Sequence, residues 1–508
     1  MNHNVLIIGN HPLHADLKRQ YSQRGDNVVL LAKDQGLTQA DMQNIQEVVL
    51  LANYDKSPIE ADNEVMGILE QLASIQGTEN NNEQRLLCHI LLRSYSLLHL
   101  IRMEGFRKEI EDKLEVIPFT MEDQWGQIIA MGLDREPITK QSEKTVHLVI
   151  FGMSEMAEQV AINAAHVCHF PNYLKKDHSL RTRITVIDEK ASEKNAEWIQ
   201  RYKHLFDNCY YRHVNPQNRP AVTNTSRPFY HHREDFVDIE WEFVSASPYN
   251  EIVRRKISQW AKSTTQVLTI LFANSHSEQA LDEALHLPEE VTSERIPVFV
   301  YMQNDKAFKQ IRQTCMVADI RPFGMVNYGY DINQPLMEMA KTVNYIYSQC
   351  RVMKTNDGTW KMEYAVEIDA EEREKLWKKL SFNKRISSYY NAMTIGVKMR
   401  SLGYKEDDWD KFYDISQEDI EMLAKVEHNR WNVEELILGW RPCNDEEQRE
   451  VETDINMKEE LKKRKIHYDL RAYSDLRPDS SGKPVQIYDR CLSACIPLIA
   501  KESKGGGL

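Results

Sequence analysis

The first 350 residues alternate short apolar runs with helical spacers, and this alternation leaves few possible folds. The runs consist mainly of Val, Ile and Leu without alternating polar residues, which is typical of strands covered on both faces in a parallel sheet. The spacers would complete βαβ units. The chain is therefore predicted to be α/β, with two Rossmann-like, doubly wound parallel-sheet domains. The predicted strands are 5–8, 27–31, 47–51, 88–93, 146–151, 183–187, 240–244, 266–272, 296–301 and 325–328.

The sequence changes character near residue 354. A polar, turn-rich segment, KTNDGTW, occupies 354–360, and the sequence beyond it is charged and has helical periodicity. At roughly 100–200 residues per domain, a chain of 508 residues suggests about three domains. We predict one Rossmann-like domain at 1–140, a second at 141–353, a mainly α-helical domain at 354–500 and a flexible tail, KESKGGGL, at 501–508.

Charge and cysteine content limit the kinds of partner and the cellular environment that we expect for this chain. The 64 Lys and Arg residues are outnumbered by 77 Asp and Glu, which gives a net charge of −13 with neutral histidines. Nucleic acids and anionic membrane surfaces attract the opposite charge, so neither is an expected partner. The eight cysteines lack zinc-ligand spacing, and every apolar run is well short of the ~18–20 residues of a bilayer span. These features predict a reduced, cytoplasmic protein without a metal site or membrane insertion.

The better nucleotide-binding motif follows the run 146–151. A dinucleotide-binding turn places glycine or another small residue at its first, third and sixth positions, and here these positions hold Gly152, Ser154 and Ala157. The next predicted strand leads to Asp188, where an acidic residue would bind ribose hydroxyls. Glu155 argues against a phosphate at this turn because its charge would repel the anion. The expected cofactor is NAD(H) or an adenine nucleotide.

The first apolar run ends in a more degenerate version of the same turn. Gly9 keeps the first glycine, but His11 and His14 replace the second and third, and the His11 side chain would crowd a pyrophosphate. Asp34 follows the next predicted strand, in the position of a ribose-binding acid. Two interpretations stay open: a nucleotide site at Gly9 and Asp34, or a structural domain that binds nothing.

Two further polar residues follow the predicted strand 266–272. Asn274 and Ser275 would lie at the carboxyl end of that strand, where ligands bind in open α/β sheets. Either residue could instead cap the helix that follows. We include both in the predicted nucleotide site, since the two roles are compatible.

The second Rossmann-like region resembles a known family of regulators. Its glycine turn, the strand ending at Asp188 and the later strand QVLTILFAN are similar to the TrkA-N nucleotide-binding domains of Trk-type potassium uptake regulators, over about 144–348. The resemblance implies binding of dinucleotides or adenine nucleotides. It also implies pairing into a homo-oligomer and a link to potassium transport.

The most specific motif is LAKVEHNRWNVEELILGWR at 423–441, which has the periodicity of one amphipathic helix. A Glu-His-x-Arg-Trp block before a Gly-Trp pair resembles the signature of the ryanodine-receptor (RyR) repeat domain, over about 371–500. The resemblance implies a peripheral helical module. Bacterial proteins that join this module to tandem Rossmann domains look like cytosolic ligand sensors. The residues that could form a ligand cleft are Arg385, Glu427, His428, Arg430, Trp431 and Trp440.

A structural interpretation of the same motif also stays open. Glu427 and Arg430 are three residues apart on a helix and could pair with each other. Trp431 could pack on the side of Trp440. In that case these side chains brace the helices, whereas in the functional case the indoles would stack a planar ligand between charged walls.

The motifs favour a regulatory protein over an enzyme. The sequence has no phosphate-binding loop, no nucleophile elbow and no metalloprotease helix. We therefore predict a cytoplasmic, non-enzymatic sensor of a nucleotide-like small molecule, acting on an unidentified protein partner in ion transport or in stress or defence signalling. An NAD(P)-dependent oxidoreductase and a ligand-free interaction scaffold are the alternatives.

Overall fold

The computed structural model describes residues 3–31, 37–79, 85–173, 178–218, 221–226, 236–274, 277–302, 319–405, 414–479 and 481–502. The first region forms a five-stranded, fully parallel sheet with the order β2-β1-β3-β4-β5. Its strands are β1 (Asn4–Ile8), β2 (Asn27–Leu31), β3 (Glu47–Leu51), β4 (Leu86–Leu91) and β5 (Leu114–Phe119). Its helices are α1 (Leu13–Arg24), α2 (Pro58–Glu79), α3 (Tyr95–Glu104), α4 (Lys108–Glu111) and α5 (Met121–Ala130).

The second region contains an eight-stranded sheet. The strands are β6 (Thr145–Phe151), β7 (Thr182–Asp188), β8 (Tyr210–Val214), β9 (Val222–Ser226), β10 (Ile239–Ser245), β11 (Gln266–Phe272), β12 (Val298–Tyr301) and β13 (Ile320–Phe323). The helices are α6 (Glu155–Val167), α7 (Ala191–Arg201), α8 (Lys203–Asn208), α9 (Glu251–Ala261), α10 (Ser277–Leu285) and α11 (Glu289–Ser293).

The strand order of this sheet is β13-β12-β11-β6-β7-β10-β8-β9, and only the β8–β9 pair is antiparallel. Without the β8–β9 hairpin at one edge, the order is that of the doubly wound Rossmann fold. The chain therefore winds in opposite directions on the two sides of β6 and β11. The crevice beyond the carboxyl ends of these two strands is the place where such sheets bind ligands.

The third region is mainly helical, as predicted. Two small two-stranded sheets accompany the helices: β14 (Arg351–Lys354) with β15 (Trp360–Glu363), and β16 (Arg441–Pro442) with β17 (Ile466–His467). The helices are α12 (Pro335–Gln349), α13 (Ala370–Lys378), α14 (Phe382–Met393), α15 (Ile395–Ser401), α16 (Gln417–Ile437), α17 (Asp445–Thr453), α18 (Met457–Lys462), α19 (Ile487–Ala494) and α20 (Ile496–Glu502).

One hydrophobic core joins the three regions. A single buried cluster includes Leu50, Val160 and Leu436, one residue from each region. At the closest approach of α5 to α6, a Cβ on Gly126 would lie 2.7 Å from the Gln159 carbonyl oxygen, so only glycine fits. Helix α6 also contacts α14 and α16. The domain boundaries at 140 and 353 stay predictions.

Most predicted strands are present, but the predicted strand at 325–328 is wrong. Val326–Tyr328 is a short 3₁₀ helix, and the strand of this part of the chain is β13. Gly324 has a φ of +91°, which turns the backbone away from the sheet after Phe323. None of the helices in the described part of the chain is long and apolar enough to cross a membrane.

Candidate functional site

The crevice between β6 and β11 begins at Gly152. This residue has a φ of +95°, and its amide donates a hydrogen bond to the Ile187 carbonyl at 2.9 Å. A Cβ at this position would lie 2.3 Å from Asn274 Oδ1 and 3.2 Å from the Ala273 carbonyl. Both the backbone angle and the close approach of the β11 loop therefore require glycine.

Ser154 connects the glycine turn to the helix and to the neighbouring strand. Its hydroxyl accepts the Ala157 amide at 3.2 Å, which caps α6, and donates to the Ala273 carbonyl at 2.5 Å. Ala157 is completely buried, so its small side chain allows the helix to pack closely. The N-terminus of α6 follows directly on the glycine turn, and the N-terminus of a helix can bind an anion.

Asp188 is the last residue of β7 and is held in place at the crevice. Its Oδ1 accepts the Lys190 amide at 2.8 Å, and its Oδ2 forms an ion pair with Lys194 Nζ, also at 2.8 Å. The Lys194 side chain is 43% exposed, so it can move aside at little cost. A ribose hydroxyl pair at Asp188 would compete with this lysine.

Asn274 lies at the opposite wall of the crevice, as its place in the sequence predicts. Its Nδ2 donates to Glu283 Oε2 in α10 at 2.6 Å, while its Oδ1 faces Gly152. Asn274 thus tethers the loop to the following helix through a side-chain contact. Ser275 lies outside the described residues.

Two carboxyl groups lie near the N-terminus of α6. Glu155 Oε1 accepts the backbone amide of Tyr95, at the start of α3, at 3.0 Å, and burial raises the pKa of Glu155. Burial and the neighbouring Glu155 raise the pKa of Glu122 to about 7. The negative charge at this end of the crevice therefore increases as the pH rises through 7, and this opposes a bound phosphate.

The first glycine turn is filled by its own side chains. Gly9 has a φ of +116°, and a Cβ there would lie 2.1 Å from the Leu51 carbonyl oxygen. The His11 ring packs against Tyr54 with a centroid distance of 5.6 Å, and its Nδ1 accepts the Leu13 amide at 3.1 Å. The backbone angle and the approach of β3 explain the need for glycine at position 9 without a ligand. Asp34 lies outside the described residues.

The charged side chains of helix α16 form a buried ion network. Lys398 Nζ lies 2.5 Å from Glu427 Oε2, Arg430 Nη2 lies 2.8 Å from Glu427 Oε1, and Arg430 also contacts Glu434. These four side chains are at most 3% exposed. Burial alone would raise the pKa of Glu427, but Arg430 and Lys398 hold it at about 2. The Lys398–Glu427 pair therefore joins α15 to α16, and Arg430 pairs with both carboxylates within α16.

The two tryptophans of the motif contact a histidine that is not among the predicted cleft residues. Trp431 and Trp440 contact the His467 ring at centroid distances of 4.9 and 5.9 Å. His428 Nε2 donates to the Arg471 carbonyl at 2.9 Å. Trp431 was expected to pack near Trp440, and the two indoles meet through the His467 ring that lies between them. Strand β17 places His467 between α16 and the loop that follows it.

His467 makes this aromatic cluster sensitive to acid. Burial lowers the pKa of His467 from 6.5 to about 4, so between these values the unfolded chain binds a proton that the folded chain does not. We therefore expect the free energy of unfolding to decrease as the pH is lowered from 6.5 to 4, by up to about 3 kcal/mol for one such group.

The His467→Asn variant tests this expectation. Asparagine can still accept the Asp469 amide that His467 Nδ1 accepts at 3.2 Å. Melting temperatures measured between pH 7 and 4 should fall less steeply for the variant, while His11 and His99, whose pKa values are also about 4, act equally in both proteins. If the melting temperatures of the variant and of the unmodified chain fell equally between pH 7 and 4, His467 would not be the source of the acid sensitivity.

Arg385 does not join the other predicted cleft residues. It lines a separate cavity against β5, which is described below. No group of three or more His, Cys, Asp or Glu residues in the described ranges could hold a metal ion.

Comparisons with known proteins give no family for this chain. No family model matches it, and no curated protein matches it. Among solved structures, it aligns with one of the subunits of dipicolinate synthase from Bacillus halodurans at 9% sequence identity, over 63% of this chain and 88% of that chain, with a TM-score of 0.20. This likeness is too low to support an inference about function.

Proposed function

We propose that this chain is a regulatory protein that binds NAD(H) or an adenine nucleotide in the crevice between β6 and β11. The observation that carries the proposal is the placement of Gly152, Asp188 and Asn274 together at the point where the doubly wound sheet reverses direction. Ligands of such folds bind at this point because the adjacent loops diverge there.

The residues fit the ribose end of such a ligand better than its phosphate end. Asp188 would accept the ribose hydroxyls in place of Lys194, and the Gly152–Ser154 turn would bring backbone amides close to a phosphate. Glu155 opposes that phosphate at high pH, so binding should strengthen as Glu155 and Glu122 take up protons.

Helix α6 connects the proposed site to the first and third regions of the protein. Asn163 donates to Asp123 of α5 at 3.2 Å, and His166 stacks on Tyr390 of α14 with a centroid distance of 4.0 Å. A ligand that favours one position of α6 would therefore change the packing of both neighbouring regions. Such coupling requires different affinities for the two arrangements.

The wider role in the proposal depends on the two resemblances. Similarity to TrkA-N domains and to the RyR repeat supports a bacterial, cytoplasmic ligand sensor that forms homo-oligomers and acts on a protein partner. The neutralised, buried network around Arg430 supports the view that the helical region transmits packing changes, since its charges are already paired.

The Asp188→Ala variant tests the proposed site. Loss of charged hydrogen bonds worth about 1.5–3 kcal/mol should weaken NADH, ATP or ADP binding by roughly 10- to 100-fold in isothermal titration calorimetry. The control is Asp207→Ala, which removes a carboxylate that likewise pairs with a lysine, Lys203, on the short helix α8. Glu155→Gln should tighten binding at pH 8.

Three outcomes would reject the proposal. Equal affinities of Asp188→Ala and the unmodified chain would move the site elsewhere. No binding heat with any of these nucleotides would favour the scaffold. Hydride transfer from NADH to a substrate would favour the oxidoreductase.

A further inference from the structure

A second cavity lies where the first sheet meets the helical region. It contains about 510 Å³ of empty space, including the part open to solvent, and is bounded by β5, α5, α12, α13 and α14. Strand β5 is the outer strand of its sheet, so one row of its backbone polar groups has no neighbouring strand in the described part of the chain.

A buried guanidinium with unused donors lines this cavity. Arg385 is 7% exposed, and among the described residues its Nε and Nη2 have no hydrogen-bond acceptor. Its Nη1 lies 3.5 Å from Glu115 Oε1. A buried charged donor without a partner is costly, and an anion or a carbonyl that reached Arg385 would remove this cost.

The nearby carboxylates are already engaged by other groups. Glu115 Oε1 also accepts the Trp377 indole N–H at 2.6 Å, so Arg385 and Trp377 share this oxygen atom. Arg102, the second arginine in the wall, is paired through both terminal nitrogens with Asp123 at 2.9 and 2.6 Å. Arg385 is therefore the wall residue with the most unsatisfied positive charge.

Aromatic side chains line the cavity beside Arg385. The Arg385 guanidinium lies 5.4 Å from the centroid of the Trp377 ring, and Phe382 and Tyr389 also line the cavity, together with non-aromatic residues that include Gln124, Gln334 and Met337. The Tyr389 hydroxyl is satisfied because it donates to Gln127 Oε1 at 2.8 Å. These rings offer flat apolar surface beside the guanidinium, whose Nε and Nη2 have no acceptor among the described residues.

We infer that this cavity is a second ligand site, which takes a planar aromatic molecule with one anionic group. The anionic group binds Arg385, and the ring system packs among Trp377, Phe382 and Tyr389. None of these residues belongs to the crevice between β6 and β11, so this site does not depend on the nucleotide proposal.

Fluorescence titration of the full chain with anilinonaphthalene sulfonate, an anionic planar probe, tests the inference. We expect saturable binding of one probe per chain. Arg385→Met should weaken it at least about 10-fold, because two charge-assisted hydrogen bonds are lost. The neutral analogue N-phenylnaphthylamine should bind the variant and the unmodified chain equally, which distinguishes lost charge recognition from a damaged cavity.

A second variant should change the affinity in the opposite direction. Glu115→Gln keeps an acceptor for the Trp377 indole but removes the carboxylate that competes for Arg385, so the sulfonate should bind more tightly. A misfolded protein would not give tighter, saturable binding. The inference is overturned if Glu115→Gln leaves the sulfonate affinity unchanged, or if a folded Arg385→Met variant binds the sulfonate as well as the unmodified chain does.

Discussion

Replacing Arg430 with Met is expected to destabilise the helical region by roughly 3–5 kcal/mol, the usual cost of removing one partner from a buried ion pair. Arg430 contacts both Glu427 and Glu434 within the buried network. Without it, Lys398 would be the remaining cation for two buried carboxylates. One of them must then stay charged without a partner or take up a proton at neutral pH.

Chemical denaturation followed by tryptophan fluorescence measures this loss. The matched control is Arg449→Met on α17, where the arginine is exposed and the effect should stay within about 0.5 kcal/mol. Hydrogen exchange in α16 should increase in the Arg430 variant, which locates the damage. A loss below about 1 kcal/mol would show that the network is not essential to this region.

Gly9→Ala is expected to cost roughly 3 kcal/mol or more. A positive φ costs a non-glycine residue about 1–2 kcal/mol, and overpacking adds about 1–3 kcal/mol. The new methyl group would lie 2.1 Å from the Leu51 carbonyl oxygen. This atom belongs to the backbone at the end of β3, so a change of side-chain rotamer cannot relieve the clash.

Gly25→Ala, at the other end of α1, separates the two contributions. Gly25 also has a positive φ, +90°, but a Cβ there meets nothing within 4 Å. This variant should therefore lose only the backbone contribution. Equal losses of stability for Gly9→Ala and Gly25→Ala in the same denaturation experiment would contradict the steric explanation.

The strand pattern predicts most of both sheets because buried parallel strands require uninterrupted apolar runs. Strand β5 was not predicted, since its sequence LEVIPF contains Glu115 and Pro118. Both residues are tolerated because β5 is an outer strand, where proline need not donate to a neighbour. An outer strand differs from an inner one in having a paired strand on one side instead of two, and the local sequence pattern does not show which strands will pair.

In the crevice too, the sequence predicts which residues come together but not the contacts that they make. The glycine turn, the strand ending at Asp188 and the loop at Asn274 can be placed together because parallel strands end at one edge. The contact of Asn274 with Gly152 and the competition of Lys194 for Asp188 depend on loop conformation. Periodicity alone does not give that conformation.

The sequence by itself determined the doubly wound class, the glycine turns at Gly9 and Gly152 and the helix that carries the EHNRW motif. Only the tertiary structure decided that Arg430 is paired within a buried network while Arg385, on α14, lines a cavity with unused donors. Both are arginines on helices of the third region. Their difference arises because the energy of a charged group depends on burial and on the partners that distant parts of the chain bring to it.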